Sequence, residues 1–175
     1  MRIELEHDAS WVPLPGIGEP VADDWRDDLA RRVAARWGLD GPSASRVVDE
    51  ALGARRETDE TTFLSLVADE PASAHLLVAH ADASGDVEVA RLVGLGDDGV
   101  LAPAVDVVVA EHLDEARVAK HLLAGDDGDL VGVLVLGARR GPWHVRLESS
   151  PVSPRALGQL HDATIATFGT LRLVD

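Results

Sequence analysis

The stretch from Trp143 to Phe168, WHVRLESSPVSPRALGQLHDATIATF, constrains the fold more than any other part of this chain. Trp143, Val145 and Leu147 alternate with His144, Arg146 and Glu148. That is the period of a half-buried strand, with His144 turned to solvent. Ser153 has the side chain of a helix cap, and Pro154 has the fixed φ that suits a first helical residue. Leu157, Leu160, Thr164 and Phe168 recur on one helical face, with Ile165 beside it. A strand feeding a helix with one apolar stripe must lay that helix back on a sheet. The expected class is α+β.

A length of 175 residues suits one domain, residues 1–175. Apolar residues make up 46% of the chain and aromatics only 3%, so the core must be built from Leu, Val and Ala. Thirty-one acidic residues against 16 Lys and Arg give a net charge of −15. Such a chain repels phosphate, which argues against nucleic acid and anionic membrane surfaces as partners. A basic protein partner stays open. There is no cysteine, hence no disulfide, thiolate metal site or cysteine nucleophile. No stretch approaches the ~20 apolar residues of a membrane span. The first residues, MRIELEHDASWVPLPG, lack the apolar core of a secretion signal. The expected location is cytoplasmic.

Residues 2–6 alternate as a short strand, and Pro13, Pro15, Gly16, Gly18 and Pro20 make a stiff loop. A helix opens at Asp23. Asp24, Asp27 and Asp28 lie in its first half, Arg31, Arg32 and Arg36 in its second, and Gly38 follows, in keeping with the helix dipole and a glycine stop. Trp25, Leu29, Val33 and Trp37 form its apolar stripe, and a shorter helix is expected from Ser45 to Leu52. From Thr61 the pattern is that of strands: TTFLSLVA, AHLLVAHA, VEVARLVG, VDVVVAEH, DLVGVLVLG and WHVRLES, with turn signals between them. Short connectors favour antiparallel neighbours. The segment 111–124 obeys helix rules, yet reads equally as a DE turn followed by the strand ARVAKHLL. The expected core comprises Trp25, Leu29, Val33, Leu157, Leu160 and Phe168, with one face of each strand.

No motif names a reaction. Gly94 to Gly99, GLGDDG, matches a dinucleotide-binding string, but a proline and a strand follow where a helix is needed. Gly125 to Asp129, GDDGD, fails calcium-loop spacing, because Gly137 stands where the twelfth-position glutamate belongs. It reads as an acidic hairpin turn. The histidines show no metal-ligand spacing: His75 and His80 point to opposite faces of a strand, His112 and His121 flank the ambiguous segment, and His161 lies beside the buried stripe of the last helix. Ser149, Ser150 and Ser153 read as a loop and cap, and nothing places His144 and Asp162 with a serine. Trp11, in the Pro/Gly loop, is the tryptophan expected at a surface contact.

The order of elements resembles the PsbP-like superfamily, in particular actinobacterial proteins of the LpqN type. The matching residues are Trp11, Pro13, Pro15, Trp25, Trp143, Val145, Leu147, Ser150, Pro151, Asp162, Ala163 and Thr167. The resemblance implies an α/β/α sandwich around a curved antiparallel sheet of about seven strands, flanked by N-terminal and C-terminal helices. It favours the strand reading of ARVAKHLL. It also implies a non-catalytic adaptor or binding domain, since members of the superfamily serve as subunits of photosystem assemblies, a Ran-binding factor and envelope lipoproteins. No binding residue carries over, because the matched positions are core or loop. The expected function is therefore a protein-interaction or accessory module with an unknown protein partner, a homodimer being compatible. No catalytic residue, cofactor or metal is expected. One alternative is a carrier of a small apolar ligand held between sheet and helix. Another is a metal-dependent hydrolase using His112, His121 and nearby acids.

Overall fold

The computed structural model describes residues 2–4, 10–55, 61–80, 88–94, 100–108, 110–125 and 127–174. In chain order the elements are β1 (Arg2–Glu4), β2 (Trp11–Pro13), α1 (Asp23–Trp37), α2 (Gly41–Gly53), β3 (Thr61–Ser65), β4 (Ala72–His80), α3 (Val89–Leu92), β5 (Val100–Val107), β6 (Glu115–Ala124), β7 (Leu130–Arg140), β8 (Trp143–Ser149), α4 (Pro154–Phe168) and β9 (Arg172–Val174). The fold is α+β. Seven strands form one antiparallel sheet in the order β2-β3-β4-β8-β7-β6-β5, and β1 pairs with β9 in a separate ribbon. The sheet has two sequential halves, β2 to β4 and β5 to β8. They join where β4 meets β8, with Leu76 opposite Leu147 and Val78 opposite Val145.

One face carries α1 and α2. Leu29 and Val33 of α1 and Val48 and Leu52 of α2 pack with Val12 and Leu64 of the sheet. Arg36, placed near the helix C-terminus to suit the dipole, also ties α1 to the chain beyond β3. Its Nε donates to the Leu66 carbonyl and its Nη2 to that of Val67, both at 2.6 Å. Gly38 stops α1 at φ +66°, and the Leu39 N–H returns to the Ala34 carbonyl. Trp25 and Trp37, expected in the core, are half-buried. The centre of the stripe is Leu29 and Val33, and the indoles cover its rim.

The second helix begins at Gly41, ahead of the expected Ser45, because Asp40 caps it. The Asp40 carboxylate accepts from the Ser43 N–H at 2.8 Å, and Pro42 sits in the first turn. Hydrogen bonding from the Ser43 side chain and then from its N–H holds the Asp40 carboxyl below the usual aspartate value, with help from Arg46. A carboxyl lowered on folding stabilises fully above its unfolded value, and the contribution fades as pH falls through the folded one. Asp40→Ala is therefore expected to lower the melting temperature near neutrality and to make little difference in strong acid, as paired thermal melts would show.

The opposite face carries α4. Ser153 caps it by accepting from the Ala156 N–H at 3.2 Å, as expected. Leu157, Leu160 and Phe168 pack among Leu134, Leu136, Val145 and Leu147. Gly132 of β7 makes this approach close: a Cβ there would lie 2.5 Å from Leu157 Cδ2 and 3.1 Å from Leu157 Cβ. On the other face of β7, a Cβ on Gly137 would lie 2.8 Å from Leu92 Cβ. Each face of this strand thus has one glycine under one helix.

Gly137 also explains a correction. VEVARLVG was expected to be a strand, yet residues 89–92 form the short helix α3. Val89 and Val93 lie four apart, so a single helical turn buries both against the flat site that Gly137 leaves. Residue 87, part of the same reading, lies outside the described residues. A second correction concerns Trp11, which is 2% exposed and not a surface contact. Residues 11–13 pair with β3 as a strand, and Trp11 sits edge-on to Phe63 and Phe168 at centroid distances of 6.5 and 6.1 Å. A third concerns His144, expected in solvent but 7% exposed. Simple alternation assumes one wet face, whereas helices lie on both faces of this sheet. The segment 111–124 is strand β6 from Glu115, as the resemblance favours.

Candidate functional site

The β5 end of the sheet differs from the rest of the surface. Expected from Val105, the strand starts at Val100 and includes Pro103. It is the terminal strand, with β6 on one side and no partner strand on the other among the described residues. The large exposed apolar side chains of the described residues are Ile17, Val105, Val107 and Leu130. Ile17 and Leu130 stand singly, which needs no explanation. Val105 and Val107 are 48% and 74% exposed, two positions apart on one strand, and so on the same face.

Asp106 between them points to the other face, where α4 lies. Its Oδ2 is 3.0 Å from His161 Nε2 and 3.6 Å from Lys120 Nζ, while His161 Nδ1 is 3.1 Å from Asp162 Oδ1. His161 therefore bridges β5 to α4. His161 is the satisfied boundary histidine that its place beside the stripe suggests.

The other residues with chemical potential are dispersed. His75 Nδ1 is 3.3 Å from Thr62 Oγ1. His121 Nε2 is 2.7 Å from the Val93 carbonyl. A carbonyl only accepts, so this nitrogen donates, and buried Nδ1 has no partner among the described residues. Arg146 pairs with Glu148 at 2.7 Å and donates to the Leu92 and Gly94 carbonyls, capping the end of α3. Ser149 Oγ accepts from the Leu134 N–H at 2.9 Å, and Ser150 Oγ from the Ser73 N–H at 3.1 Å. The Gly125 N–H donates to the Asp129 carbonyl at 2.6 Å, while residue 126 of the GDDGD string lies outside the described residues. Gly94 follows α3, while residues 95–99 of the glycine-rich string lie outside the described residues. Among the described residues, no three His, Asp or Glu side chains gather as metal ligands.

A cleft of 390 Å³ lies between α3 and the sheet, lined by Glu88, Val89, Ala90, Glu115, Arg117 and Arg139. Its charges are mixed, and Arg117 is paired with Glu115 at 2.8 Å. The space between the sheet and α4 is filled by Trp11, Leu157, Leu160 and Phe168, whereas a pocket of 210 Å³ between α2 and the sheet is lined by Val47, Ala51, Leu64 and Ala72.

Comparison with family models, curated proteins and solved structures finds no match for this chain. No described helix is long and apolar enough to cross a membrane. The β5 surface was not read from the sequence, although one signal was present. A proline inside an apolar strand run is confined to edge strands and bulges, and Pro103 stands in such a run.

Proposed function

We propose that this chain is a non-catalytic protein-interaction module of PsbP-like, α/β/α build, and that its contact surface is the β5 end of the sheet. The observation that carries the reading is the pair of exposed valines on a terminal strand. Paired apolar exposure beside open backbone groups is a feature that monomeric proteins avoid unless something docks there. The helices on both sheet faces and the order of the matched residues support the family part of the reading. The dispersal of serines, histidines and arginines into capping and packing contacts agrees with a non-catalytic role.

The test is a photo-crosslinker placed at residue 107 in cells of the native host, compared with the same crosslinker on the far-side helix α2. A discrete adduct from position 107 alone is expected. It should vanish in a Val105→Ser variant whose melting curve is unchanged. Equal labelling from both positions, or an adduct indifferent to Val105→Ser, would remove β5 as the contact surface.

A further inference from the structure

We infer that the β5 edge takes up an extended, basic segment of a partner protein as an eighth strand of the sheet. The inference rests on the interaction reading above and adds the chemistry of the partner.

Backbone alternation supplies the first argument. The Val108 N–H donates to the Ala116 carbonyl at 2.9 Å, and the register continues as Val107 with Arg117, Asp106 with Val118 and Val105 with Ala119. In an antiparallel pair, main-chain groups turn toward the neighbour at every second residue. Asp106 and Val108 therefore face β6, while Val105 and Val107 turn their N–H and C=O groups outward. Pro103 occupies the same outward phase and has no N–H. Donors along this stretch are thus confined to Val105 and Val107, which sets where an added strand must lie.

Side chains supply the second argument. An added strand would lay alternate residues beside Val105 and Val107, where apolar groups gain by burial, and the intervening ones on the side of Asp106. Asp106 is 51% exposed, and both of its ionic contacts, to His161 and Lys120, use Oδ2. This half-exposed carboxylate is the acidic group an incoming cation would meet. Exposed Glu111 and Asp114 follow the strand, and the whole chain carries −15. The charge that attracts Lys or Arg repels a second copy of this chain.

The test uses the full chain and three labelled peptides of β5's own length, eight residues. One alternates Val and Lys, one alternates Val and Glu, and one is the Val/Lys peptide with alternate backbone nitrogens methylated. Fluorescence anisotropy is expected to show the Val/Lys peptide binding at least about tenfold tighter than either control. Added salt should weaken it, and amide exchange should slow at Val105 and Val107. Val105→Pro, which copies the Pro103 geometry, should abolish binding with β6 pairing intact. Asp106→Asn, a milder change, should weaken the Val/Lys peptide alone. Equal binding of the Val/Glu or methylated peptide, or protection elsewhere, would overturn the inference. So would failure of the Val/Lys peptide beside a crosslinked dimer at residue 107, in which case the occupant is a second copy and the interaction reading stands. Failure of the peptide with no adduct at all would end both.

Discussion

Trp11→Ala is expected to cost about 3–5 kcal/mol of folding stability, the usual loss for a buried aromatic truncated in a core. Trp11 belongs to β2, a strand of three residues, yet its indole reaches the main cluster and meets Phe63 of β3 and Phe168 of α4 edge-on. Removing it takes away both ring contacts and opens a cavity where β2 and α4 converge. Trp11→Phe should behave differently. It keeps most of the apolar contact and removes an indole N–H that is buried with no hydrogen-bond partner among the described residues. Leaving such a donor unpaired costs about 1–3 kcal/mol, so its loss offsets part of the lost volume. Chemical denaturation of the two variants should give a large loss for Ala and a minor one for Phe. Similar losses for both would mean that the indole N–H is satisfied in solution.

Gly132→Val is expected to be nearly as damaging, by about 1–3 kcal/mol or more, through overpacking. A shift of Leu157 Cδ2 alone would not relieve it, because a Cβ at 132 also lies 3.1 Å from Leu157 Cβ, which is fixed to the helix backbone. The helix itself must move. It cannot do so freely, since Gly132 and Val152 exchange hydrogen bonds of 2.7 and 2.9 Å just before α4 begins. A double-mutant cycle with Leu157→Ala isolates the contact. In the Leu157→Ala background, the valine should cost much less. A cycle that is additive would show that α4 does not approach β7 at this point.

These residues also show how far the letters could be read. Helix α4 was legible because Ser153, Pro154 and the stripe of Leu157, Leu160 and Phe168 are local signals that agree with one another. Helix α1 was legible because acids, bases and Gly38 lie in the order its dipole favours. The short helix α3 was not: Val87, Val89 and Val93 satisfy a period of two as well as a spacing of four, and Gly137, which decides the matter, is more than forty residues away in the chain. Trp11 was misread because prolines beside it mark a loop, while its pairing with Ser65 is a long-range fact. His144 was misread because no local rule reports that both faces of a sheet are covered. The β5 surface depends on strand order, which no single segment encodes, and only Pro103 hinted at it.

The seam between β4 and β8 has a consequence for how the protein is made. β4 gains its second neighbour only when residues near Ser149, opposite Ala74, have been synthesised. Until then the nascent N-terminal half exposes a nine-residue strand rim to the crowded space outside the ribosome. Contacts closed over such a span form late and slowly. The interval before closure is when this molecule is most exposed to wrong pairing and most dependent on chaperones.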